Sequence, residues 1–170
     1  MYRILLLVAL GCTFLTPGIG YADSEKSPPG MVLQEFFNLV ENGQGDEAEK
    51  LVLIQTPDQE RAVKEFIKTG ITFFSRERIT NTVLETFESG SHAVCVVMQT
   101  SSNKPDMHEI EKAFLMLDGE HWRLLPQPQD HRSKLNSLAP EEMAAFDPML
   151  KRYLEFKARN KELRAPTEDQ

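Results

Sequence analysis

The stretch from Ile79 to Leu125 constrains the fold most, because it reads as strand with apolar side chains on both faces. It divides at the joints SGS, SSNKPD and DG into four candidate strands, roughly Ile79 to Glu88, His92 to Thr100, Met107 to Leu117 and Glu120 to Leu125. Asp118-Gly119 between apolar flanks is a two-residue hairpin signal. Such a turn predicts Leu115 opposite Trp122 and Ala113 opposite Leu124 on one face, with Phe114, Met116, His121 and Arg123 on the other. In the second strand Ala93, Cys95 and Val97 alternate with Val94, Val96 and Met98. A sheet apolar on both sides has to be covered on both sides.

Three helices precede it. The first runs from near Pro28 to a stop at Asn42 and Gly43, with Val32, Phe36, Phe37 and Val40 as its stripe. A short second helix has Asp46 as its expected cap, buries Ala48, Leu51 and Val52, and ends before Pro57. The third has Thr56 as cap, Pro57 at its first position and Gln59 at its third, and its expected face is Ala62, Phe66, Ile67, Ile71 and Phe74. Helices this short do not bury one another's stripes, so the sheet is their partner.

Beyond residue 126 comes a hydrophilic linker, 127 to 139, then an amphipathic arm, 140 to 164, and a polar tail, 165 to 170. In the arm Met143 and Phe146 precede a break expected at Pro148, after which Leu150, Tyr153, Leu154 and Lys157 recur at helical spacing. There is no internal repeat.

Residues 1 to 22 read as a secretory signal peptide: Arg3, an apolar run from Ile4 to Leu15, Pro17-Gly18, and small residues Gly20 and Ala22 before Asp23. The run is short of the about 20 residues a membrane span needs. The stretch Ala9-Leu10-Gly11-Cys12 is a weak lipoprotein box, which makes a lipid anchor on Cys12 the lesser alternative. After a polar leader, 23 to 28, the domain proper spans 29 to 126. The expected destination is the periplasm or the medium. Removing Arg3 makes the formal charge of -7 more negative still, so nothing electrostatic favours nucleic acid. Only Cys95 of the two cysteines stays in the mature chain, which leaves it without an internal disulfide.

The order of elements, with Gly45-Asp46, Ala48 and Leu51 in the second helix and Asp118-Gly119 followed by Trp122-Arg123-Leu124 at the end, resembles the nuclear transport factor 2-like superfamily, also called the cystatin-like cone fold. Among its branches it is most similar to exported bacterial domains of unknown function. The resemblance implies an α+β domain: three N-terminal helices on a curved four-stranded antiparallel sheet, here with a C-terminal helical arm. It also implies a cone-shaped cavity, open in many relatives and filled in others. The expected cavity lining is Phe36, Phe37, Phe66, Phe74, Leu115, Trp122 and Leu124, around a small apolar pocket. Val94, Val96, Phe114 and Met116 form the expected outer face, to be covered by residues 140 to 164 or by a second copy, with the homodimer preferred because this family often pairs sheet on sheet.

His92 and Cys95 sit three places apart, a spacing that in other folds serves nucleophilic chemistry. Three steps along a strand reverse the side, so the two point to opposite faces and Cys95 is expected to be a buried small hydrophobe. His108 and His121 are separated along the strands, and His131 lies in the linker, so no metal site is expected. Asp106, Glu109 and Glu111 read as a solvated rim. Ketosteroid isomerase-like and dehydratase-like relatives need an acid or histidine base deep in the cone with a tyrosine or protonated acid beside it. Tyr153 is the one tyrosine of the mature chain and lies in the arm, while Glu85 and Glu111, the acids that could point inward, have no visible partner. The resulting expectation is an exported, non-catalytic binding module for a small molecule or a protein, with no cofactor. The alternatives are a structural role as a homodimer and, behind it, an isomerase-like or dehydratase-like enzyme.

Overall fold

The computed structural model describes residues 27 to 126 and 140 to 161. Three helices, α1 (Pro29–Glu41), α2 (Gly45–Glu49) and α3 (Pro57–Glu77), lead into β1 (Ile79–Ser89), β2 (His92–Ser101), β3 (Lys104–Asp118) and β4 (His121–Leu124). Two more helices, α4 (Pro140–Ala144) and α5 (Asp147–Arg159), complete the α+β order. The strands form one antiparallel sheet in the order β1-β2-β3-β4. The signal peptide, polar leader, linker and tail expected from the sequence lie outside the described residues, apart from Ser27 and Pro28.

Local signals decide the helix ends. Thr56 accepts from the Gln59 amide while the Gln59 side chain accepts from the Thr56 amide, a reciprocal cap that satisfies two otherwise orphaned donors at the start of α3. At its other end Arg78 adopts the left-handed conformation, φ 50°, and the chain turns directly into β1. Asp46 does not cap α2: the cap position falls on Gln44, whose side chain makes no capping bond, and Asp46 sits in the first turn, where the helix dipole favours an acid. In the arm the expected break falls at Ala145 and Phe146, between α4 and α5. Pro148 follows it in the first turn of α5, where its missing amide costs nothing.

The hairpin between β3 and β4 turns one residue later than Asp118-Gly119 implies. Asp118 pairs with His121, so Gly119 and Glu120 make the turn, and Gly119 supplies the positive φ of 63° at its first position. Leu117 therefore faces Trp122, and Leu115 faces Leu124. The displacement equals the two-residue side-chain period of a strand, so every residue keeps its expected face. β3 also begins earlier than expected. Asn103 donates to the Arg76 carbonyl and Ser101 to that of Glu77, which pins a tight β2-β3 turn to the end of α3 and lets Ser101 pair with Lys104.

One core lies between the helices and the inner face of the sheet: Val32, Leu33, Phe36 and Val40 of α1 and Val63 and Ile67 of α3 meet Ala93, Cys95, Val97 and Leu115. Phe66 is not part of it. The buried stripe of α3 passes through Gln59, Val63 and Ile67, and Phe66, about 100° round the helix from Ile67, is 42 % exposed.

The second core lies on the outer face. Val94 and Val96 are fully buried and Phe114 nearly so, beneath Phe146, Met149, Tyr153 and Phe156. The arm, not a second copy, covers this face, which removes the reason for preferring a homodimer there. The covering stripe also differs in detail: Leu154, counted in it from spacing, is 63 % exposed, while Met149 and Phe156 are buried.

Side chains close the exposed strand edges. The Gln34 amide donates to the Asn81 carbonyl and accepts from the Val83 amide, standing in for a neighbouring strand beside β1, and Glu41 accepts from the Asn81 amide. β3 overhangs the short β4, and there Tyr153 and Lys157 both donate to the Ile110 carbonyl. Residues 51 to 53 run beside β4, with Leu124 donating to Leu51 and accepting from Leu53. A backbone edge satisfied in this way is a poor template for adding another strand.

Candidate functional site

The inner face of the sheet is the first place to look for a site, and it is occupied by side chains. Of the seven residues expected to line a cone, Phe36 and Leu115 are buried in the inner core, and Phe37, Phe74, Trp122 and Leu124 are partly buried against it. Phe66 lies at the surface. Cys95 is fully buried there with its Sγ 3.5 Å from the Thr86 hydroxyl. Burial pushes its thiol up to about 11, with the Thr86 hydrogen bond opposing and the Glu88 charge adding a smaller push in the same direction. A thiol held protonated is a poor nucleophile. His92 lies on the opposite face, its ring edge-on to Phe146 at 4.9 Å, so the two residues are separated by the sheet as strand periodicity requires.

Cys95 yields a measurable pH dependence. Above pH 9.0 the thiol of the unfolded chain ionises while the folded thiol keeps its proton up to about 11. Unfolding then releases a proton, so stability should fall as pH rises through that window, by about 1.4 kcal/mol per pH unit at most. Urea midpoints between pH 8 and 11 should show this slope in the native chain and lose it in Cys95→Ala. A slope unchanged by the substitution would place its origin elsewhere.

Polar groups do reach the inner face near the β2-β3 turn. Asn81 is buried, accepts from Gln99 through its side chain, and has its Nδ2 without a partner among the described residues. Glu109 and Glu111 pair with Gln99 and Val97 across the strands and so share that face, but both are exposed. Glu85 pairs with Val96 on the outer face, half-buried. Among the described residues no base and polarising acid are brought together at Glu85 or Glu111. Among the described residues no group of three or more histidine, cysteine or acidic side chains is placed to hold a metal ion.

An open concavity lies elsewhere, between the segment from Gly43 to Glu49 and the side of α3 that carries Lys64, Ile67, Lys68 and Ile71, with a volume of about 620 Å³. Two glycines shape it. Gly43 takes φ 74°, which turns the chain out of α1, and Gly45 approaches α3 so closely that a Cβ there would sit 3.4 Å from both Ile67 and Ile71. One wall carries Asp46, Glu47 and Glu49, the other Lys64 and Lys68, and Ile67 and Ile71 form an apolar floor.

At one end Lys64 bridges the walls, 3.6 Å from Glu49 and 2.6 Å from Glu60 of its own helix. Its pKa is raised, first by the hydrogen bond to Glu60 and then by the Glu49 and Glu60 charges; that of Glu60 is lowered by the same bond. A second depression of about 600 Å³ adjoins over α3, sharing Lys64, Lys68 and Thr72 and reaching Phe73 and Arg76. None of these groove residues was singled out as a site residue from the sequence. The available signal was the pair Gly43 and Gly45 beside Asp46, with Lys64 and Lys68 one helical turn apart.

No protein-family model matches the chain, and no curated protein matches it. Among solved structures it is similar to a Campylobacter jejuni protein named provisionally as an NTF2-like transpeptidase. The two are 14 % identical with a TM-score of 0.49, over 59 % of this chain and all of the other.

Proposed function

We propose that this chain is an exported, non-catalytic binding module whose ligand site is the groove between α2 and α3, not a cone interior. The observation that carries this reading is the contrast between the two places. The inner face is packed by Phe36, Leu33 and Leu115 at no more than 4 % exposure, whereas the groove is open, has a volume in the usual range for ligand sites, and combines an apolar floor with charged walls. Fold alone does not assign an activity, so the assignment rests on this site and not on the resemblance to the cone superfamily.

Amide NMR spectra recorded against a set of water-soluble small molecules test it. Shifts confined to Gly43, Gly45, Asp46 and Lys68 support the groove; shifts centred on Ala93, Cys95 and Val97 would move the site into the cone and overturn the reading. Export rests on Arg3, the apolar run to Leu15 and Ala22. Mass spectrometry of the protein from its native host should give a chain starting at Asp23. An intact Met1 would refute export with cleavage, and a lipid adduct at Cys12 would replace it with an anchored form. Among the described residues no helix is long and apolar enough to cross a membrane.

A further inference from the structure

Resting on the groove as the binding site, we infer that its ligand is a short zwitterionic peptide, held by its free ammonium at Asp46 and its free carboxylate at Lys68. Residues near the start of α2 lie beside the later part of α3, since Gly45 abuts Ile67 and Ile71, while its end lies beside the earlier part, where Glu49 meets Lys64 at 3.6 Å. The two helices thus run antiparallel along the groove. One turn along from the closed Glu49-Lys64 pair stand Asp46 and Lys68, both exposed, both lining the groove, and joined by no ion pair among the described residues.

The walls therefore repeat an acid-base pair, closed at one position and open at the next. A ligand with one charge of each sign can complete the open position, its ammonium on the acid side and its carboxylate on the lysine side. Between them the floor of Ile67 and Ile71 offers contact for an apolar side chain. A ligand carrying only one sign would meet repulsion from one wall. The volume of about 620 Å³ leaves room for a peptide of a few residues.

The test is a titration of the full mature chain, followed by amide NMR, with three probes: the dipeptide Ala-Leu, its N-acetyl form and its C-terminal amide. Ala-Leu should shift the Gly45, Asp46 and Lys68 signals saturably, and blocking either end should weaken binding about three- to fivefold, the scale of an exposed ion pair. Asp46→Asn should erase the difference between Ala-Leu and its acetyl form, and Lys68→Gln that between Ala-Leu and its amide. Both positions are exposed, so both variants should fold. Equal binding of all three probes at the groove would overturn the zwitterion assignment and leave the groove standing as a site. No groove shift with any of the three would also overturn it, and the broader small-molecule screen would then decide the groove separately.

Discussion

Phe146→Ala is expected to cost about 3 to 5 kcal/mol of stability, a loss large enough to consume much of a small domain's margin. Phe146 is fully buried and stands at the centre of the outer core, edge-on to Phe114 at 5.0 Å and to His92 at 4.9 Å. Truncating it removes the aromatic pairing together with the transfer free energy of the ring, and the surroundings refill the space only in part. The loss should appear as a lower urea midpoint. It should come with faster amide exchange at Val94 and Val96, because the arm is their cover. A variant as stable as the native chain would mean that the arm does not hold this face in solution, and would restore a second copy as the candidate cover.

Phe36→Ala tests the other face. Phe36 is 4 % exposed between α1 and the sheet, its ring edge-on to Phe37 at 5.8 Å. The expected cost is again about 3 to 5 kcal/mol. Because the surrounding core is apolar, the space left should stay dry and accept a small apolar molecule. Benzene should raise the melting temperature of the variant and leave that of the native chain unchanged. If benzene stabilised the native chain equally, a cavity would already exist inside the cone, and the contrast on which the groove assignment rests would disappear.

What local chemistry writes, the sequence determined by itself. Four strands between Ile79 and Leu125, two apolar faces and the opposite orientations of His92 and Cys95 all follow from a period of two along a strand, which no distant contact alters. The reciprocal cap of Thr56 and Gln59 is equally local, since both its bonds close within four residues. Tertiary structure decided what depends on which surfaces meet. Phe66 satisfies helical spacing as well as Ile67 does, yet only one side of α3 faces α1 and the sheet, so Phe66 is left at the surface. The outer face demanded an apolar cover, and an arm or a second copy meets that demand with the same hydrophobic chemistry; only the path of the chain, which brings Phe146, Met149 and Tyr153 onto Val94 and Val96, chooses between them. The groove is the clearest case. Asp46 and Lys68 belong to different helices and are each an ordinary exposed charge, and they become two walls of one site only because α2 packs against α3, where Gly45 meets Ile67 and Ile71.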